Sequence, residues 1–134
     1  MPDTRTRVRS TSTVLHAEPQ LFVTDLNAAC AFYTEKLGFS VAFVYGEPPH
    51  YAQVYRGGVR LNLRVLDEPA IAAALRARED LLSASIAVDV AEPLYLEFQN
   101  AGVEFHQKLR SEPWGARTFV VADPDGNLIL FAGD

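Results

Sequence analysis

The chain is written twice. FVTDL closes an apolar run at Asp25, and Gly38 follows 13 residues later in EKLGF. IAVDV closes a second run at Asp89, and Gly102 again follows 13 residues later, in NAGVEF. The offset is 64 residues, and self-similarity at a fixed offset constrains a fold more than any local propensity does. Between each aspartate and its glycine, apolar residues recur at helical spacing: Leu26, Cys30, Tyr33 and Leu37, then Val90, Leu94, Phe98 and Ala101. Asp25 and Asp89 are expected to cap these helices, and the glycines to close them in the left-handed conformation.

After each glycine the period changes to that of strands. SVAFVY, HYAQVY and GGVRLNL follow in the first half, and VEFHQ, RTFVVA and NLILF in the second. Gly57-Gly58 and Asp125-Gly126 read as hairpin turns at comparable places. The second half carries about four extra residues around Ser111–Gly115, where the only tryptophan, Trp114, sits. Each half therefore reads β-α-β-β-β, over residues 16–65 and 82–131. Residues 67–80, DEPAIAAALRARED, form a linker with a short amphipathic helix. The expected fold is α+β: two tandem βαβββ modules whose curved mixed sheets wrap round a shared cleft, with the helices outside. Ligands of such paired halves are expected between them.

Composition narrows the function classes. With 134 residues, 49% of them apolar, residues 15–134 can build one domain with a real core. No apolar run approaches the length of a membrane span, and the N-terminus lacks an apolar signal core, so a cytoplasmic location is expected. A single cysteine, Cys30, excludes an internal disulfide; its counterpart in the repeat is Leu94, which makes it a packing residue. Residues 1–14 hold Arg5, Arg7 and Arg9 against Asp3 and read as a flexible basic arm. Without them the 12 basic and 17 acidic side chains become 9 and 16. So acidic a body repels nucleic acid and attracts cations.

Paired βαβββ modules, VTDLNAACAFYTEKLGF near the start and PWGARTFVVADPDGNLILF near the end resemble the vicinal-oxygen-chelate superfamily of glyoxalases, dioxygenases and bleomycin-resistance proteins. The Pro-Trp-Gly followed by Asp-Pro-Asp-Gly-Asn is similar to the bleomycin-resistance branch. In members that do metal chemistry, the resemblance places ligands at Glu18 (or Gln20), Asn62, Ser83 and Leu130. Leucine cannot ligate, and a divalent transition metal wants several imidazoles or carboxylates, so no metal and no other cofactor is expected. Asp123 and Asp125 lack the remaining oxygens of a calcium loop and read as a turn. No acid–base pair or catalytic residue is singled out.

The resemblance then implies sequestration rather than turnover: a homodimer that binds a small planar or cationic molecule of the bleomycin type between aromatic side chains. The alternatives are a glyoxalase-like metal-dependent lyase or isomerase, and a binding module for an endogenous metabolite. Trp114 is the leading candidate for a ligand wall, its other reading being a plug between the modules. Phe43, Tyr45, Tyr51 and Tyr55 face either ligand or helix. Arg60 and Asn62 share a polar strand face with Arg64, which lines the cleft or meets solvent. Arg117 binds an anionic group or makes a surface salt bridge, and Glu18 offers a lone carboxylate to a cation.

Overall fold

A computed structural model describes residues 7–134. Residues 1–6 of the expected basic arm, Arg5 among them, lie outside the described residues. Arg7 to Val14 are exposed and hold neither helix nor strand.

The first module runs β1 (Gln20–Val23), α1 (Leu26–Ala31) extended by a π turn (Phe32–Lys36), β2 (Ser40–Tyr45), β3 (Tyr51–Arg56) and β4 (Val59–Val65). A linker helix α2 (Ala73–Glu79) leads to β5 (Leu82–Ala87), α3 (Ala91–Asn100), β6 (Phe105–Ser111), β7 (Arg117–Ala122) and β8 (Leu128–Gly133). Asp25 caps α1 by accepting from the Ala28 amide at 3.0 Å. Gly38 (φ +71°) and Gly102 (φ +79°) take the left-handed conformation expected of them. Asp89 does not cap α3: its carboxylate accepts only from the adjacent Val90 amide, and Val90 is the cap residue. The backbone there is held instead by Asp134, whose amide donates to the Asp89 carbonyl and whose carbonyl accepts from Ala91.

Each module forms its own four-stranded mixed sheet, in the order β1-β4-β3-β2 and β5-β8-β7-β6. In both, the first and last strands pair in parallel and the other neighbours antiparallel. The expectation of curved sheets wrapped round a cleft with helices outside is corrected here. The two sheets are separate, not curved walls of one cavity, and what joins the halves is a shared apolar core. Leu21, Val54, Leu61 and Leu63 of the first sheet enter it beside Phe119, Val121, Ile129 and Phe131 of the second. The buried sides of both long helices, Leu26, Tyr33 and Leu37 on one and Ala91 and Phe98 on the other, complete it. The physical reason is bulk: alternate positions of both sheets carry large aliphatic and aromatic side chains, which close on one another and on the helices to interior density. Phe119 and Phe131 stack at 5.1 Å, with Phe98 edge-on to both.

Candidate ligand-binding site

Strand alternation leaves the first sheet with a second face, turned away from the core. Leu21 and Val23, Ala52 and Val54, and Leu61 and Leu63 are buried on one side. The intervening residues therefore share the other. Register lines them up in rows. Gln20 stands opposite Asn62, Asn62 opposite Gln53, and Gln53 opposite Phe43; in the next row come Phe22, Arg64, Tyr51 and Tyr45. Tyr55 stands opposite Arg60. A register shift between Val41 and Phe43 sets Phe43 beside Gln53, on the same side as Tyr45.

The face is aromatic at its β2 edge. Phe43 and Tyr51 stack with ring centroids 6.1 Å apart and an interplanar angle of 22°, and Phe43 is 43% exposed. Tyr45, 67% exposed, meets the His50 ring edge-on at 5.8 Å. Towards β1 the face becomes polar. Gln53 Nε2 donates to Glu18 Oε1 at 2.6 Å and to Asn62 Oδ1 at 2.8 Å, while its Oε1 accepts from Arg60 Nη1 at 3.1 Å. The Arg60 guanidinium also lies 5.4 Å from the centre of the Tyr55 ring. The other Glu18 oxygen meets His16 Nε2 at 2.8 Å. A half-exposed carboxylate thus sits at one end of a hydrogen-bonded row and stacked rings at the other.

Seven of the nine residues singled out in the sequence, Glu18, Phe43, Tyr45, Tyr51, Tyr55, Arg60 and Asn62, are brought together by this face. Two are not. Trp114 is 75% exposed in the turn between β6 and β7, closed by the Gly115 amide on the Glu112 carbonyl at 3.0 Å, and plugs no gap between the modules. Arg117 lies on the helix side of β7, where its Nη1 meets Glu92 of α3 at 2.7 Å as a surface ion pair. Sequence reasoning missed Gln53, the buried hub of the polar row. Its signal was present in YAQVYR, where glutamine takes the alternate position between Tyr51 and Tyr55.

The superfamily's metal positions do not make a donor set. Glu18 and Asn62 are bridged by the Gln53 amide, which donates to both. The Ser83 hydroxyl accepts from Arg76 Nη1 at 2.8 Å, a cation in place of a ligated one, and donates to Asn127 Oδ1. Leu130 offers only hydrocarbon. Among the described residues no three His, Cys, Asp or Glu side chains converge. These residues do not fit a divalent metal. Among the described residues, no helix is long and apolar enough to cross a membrane.

Known proteins share this fold. The family model of the Glyoxalase/Bleomycin resistance protein/Dioxygenase superfamily matches residues 13–131. The bleomycin resistance protein of Geobacillus stearothermophilus is 30% identical over 129 residues, covering 88% of this chain and 96% of the relative. Among solved structures, the bleomycin-binding protein of bleomycin-producing Streptomyces verticillus, in complex with copper(II)-bleomycin, superposes with a TM-score of 0.72 at 27% identity, over 92% of this chain and 99% of that one. UcmS2 superposes with a TM-score of 0.73, also at 27% identity, over 92% and 100%. Repeat, topology and these likenesses agree, and the chain belongs to the glyoxalase/bleomycin resistance protein/dioxygenase superfamily.

Proposed function

We propose that the protein binds and holds a small planar, cationic molecule of the bleomycin type, without turning it over. The observation that carries this reading is the Phe43–Tyr51 stack in one register with the Glu18–Gln53–Asn62 row. Offset stacking on such rings takes any flat heteroaromatic group, and a carboxylate beside it selects for positive charge. The donor set supports holding over reaction, since among the described residues it assembles no metal site. The resistance proteins and the copper(II)-bleomycin complex among the relatives give the ligand class its support.

A second copy completes the picture in this reading. Val41, Val44 and Tyr45 are exposed on the edge strand β2, which a homodimer partner would cover, and the complex works in the cytoplasm. The test is a bleomycin titration followed by calorimetry, with recovered drug analysed for products. Saturable binding that weakens about tenfold in Phe43→Ala, with the drug returned intact, is the expected result. No saturation at high micromolar drug, or a modified product, overturns it. A monomer in sedimentation at micromolar concentration removes the dimer.

A further inference from the structure

The two halves of the repeat meet each other differently. The β7–β8 turn of the second module bonds to the first: Thr24 donates through amide and hydroxyl to Asp125, and Asn127 Nδ2 donates to the Phe22 carbonyl. By the 64-residue offset, Ile86 and Val88 are the counterparts of Phe22 and Thr24. The turn that stands beside them is Gly57-Gly58, which has no side chain to send across. Among the described residues neither glycine bonds to the second module, and an added Cβ at either meets nothing within 4 Å.

A hollow of about 330 Å³ lies at this seam, beside α3. Phe39 and Val59 of the first module and Ile86, Leu94, Phe98 and Phe131 of the second give it an apolar floor. Ile86 and Phe131 are buried on the core face of their sheet. Phe131 alternates with Leu130, so the hollow and Leu130 are on opposite sides of that sheet. Nor does it share a residue with the aromatic face of the first sheet. It adjoins a shallower hollow, and Arg56 and Asp89 line both. Arg56 is fully engaged: its Nη1 and Nη2 bond the two Glu97 oxygens at 2.6 and 2.9 Å, and Nη1 also donates to the Leu37 carbonyl. Those two charges cancel. Asp89 has one oxygen on the Val90 amide at 2.7 Å, and the other has no protein partner among the described residues. The lining therefore carries one uncompensated charge, a carboxylate at the rim of an apolar floor.

We propose that this seam hollow is a binding site for a small arylalkyl ammonium ion, whose ring lies on the apolar floor while its ammonium meets the open oxygen of Asp89. Burial of the ring against Phe39, Phe98 and Phe131 supplies the attraction, and the carboxylate sets the sign of charge accepted. An ammonium brings three donors, enough for Asp89 and for water at the rim together. The site stands apart from the proposed bleomycin reading, and either holds if the other fails.

The probes are 2-phenylethylammonium, 2-phenylethanol and 3-phenylpropionate, titrated into the full chain and followed by methyl NMR shifts. The ammonium is expected to give saturable shifts at millimolar concentration, centred on Val59, Ile86, Val88 and Leu94. The alcohol should bind about fivefold more weakly and the carboxylate more weakly still. Asp89→Asn should bring the ammonium down to the affinity of the alcohol and leave the alcohol unchanged. Leu94→Trp, which fills the hollow from its half-buried edge, should weaken all binding about tenfold in a spectrum as well dispersed as wild type. Phe43→Ala should change nothing here. Equal affinity for ammonium and carboxylate, no effect of Asp89→Asn, or shifts centred on Phe43 and Tyr51 overturns the site. Shifts at the same methyls on protein dilution without any probe also overturn it, by assigning the hollow to a second copy of the chain.

Discussion

Tyr33 donates its hydroxyl to the Asp123 carboxylate at 2.9 Å, across 90 residues of sequence and from one module to the other. Both are buried: none of Tyr33 and 5% of Asp123 is exposed. Asp123 also accepts from the amides of Asp125 and Asn127 and from Asn127 Nδ2. Burial, and then the charge of Asp123, hold the Tyr33 hydroxyl well above its ordinary pKa, so it stays a donor. The loop makes three more bonds with the first module. Thr24 donates through its amide and hydroxyl to Asp125, and Asn127 Nδ2 donates to the Phe22 carbonyl. Tyr33→Phe leaves a buried carboxylate one donor short without opening a cavity, and is expected to cost about 1–3 kcal/mol. Urea unfolding should show the loss as a lower midpoint at unchanged slope; an unchanged midpoint contradicts it.

Asp123 also sets a pH dependence. Four donated bonds favour its charged form, but burial opposes it more strongly and raises its pKa above the ordinary 3.8. A carboxyl whose folded value is raised contributes stability that is fully present below the unfolded value and lost as pH rises through the folded one. Asp123→Asn cannot titrate. The stability of wild type relative to this variant should therefore fall as pH rises from 3.8 through the folded-state value, then level off. Paired urea titrations across acid pH measure it, and a relative stability that climbs over that window refutes the assignment.

The repeat was legible because two local signals, a capping aspartate and a left-handed glycine at fixed spacing, recur with strand periodicity behind them. Alternation gave which residues of one strand share a face, Phe43 with Tyr45 and Arg60 with Asn62 and Arg64; that these join Tyr51 and Tyr55 on one face away from the core came from the cross-strand register. What alternation does not carry is the relation between modules. The Asp-Pro-Asp-Gly-Asn segment reads as a hairpin turn, yet Asp123 and Asn127 bind the first module, because nothing in a turn's own sequence shows what packs against it. Shared core packing has the same cause, since an inward-facing residue is apolar whether it meets a helix or a second sheet. Arg117 was ambiguous until its partner Glu92 was placed, 25 residues away on α3.

Two glycines at positive φ separate backbone strain from crowding. Gly57 (φ +56°) turns into open space, with nothing within 4 Å of an added Cβ. At Gly38 (φ +71°) an added Cβ would stand 2.8 Å from Arg56 Nη1, the group that bonds Glu97 Oε2 and the Leu37 carbonyl. Gly57→Ala should lose about 1–2 kcal/mol from the left-handed backbone alone. Gly38→Ala should lose that and part of a half-exposed ion pair, which adds roughly 0.2–1 kcal/mol. In an Arg56→Ala background the excess should vanish. If Gly38→Ala is no worse than Gly57→Ala in the original chain, the crowding is not real.

Glu18 tests the electrostatic part of the proposed function apart from the stacking part. Its carboxylate ends the row through Gln53 and is 36% exposed along its side chain, so it contributes charge more than stability. Glu18→Gln keeps the shape and removes the charge, and should leave the unfolding midpoint nearly unchanged. Bleomycin affinity should fall about three- to tenfold at low salt, and its dependence on ionic strength should flatten, because an exposed charge acts through a screened field. Gln53→Leu is the contrasting change. It leaves Glu18 and Asn62 without their common donor on a position only 8% exposed, and should cost stability by about 1–3 kcal/mol. If Glu18→Gln leaves both affinity and salt dependence at wild-type values, the ligand is held by the rings alone and the carboxylate plays no part in selecting it.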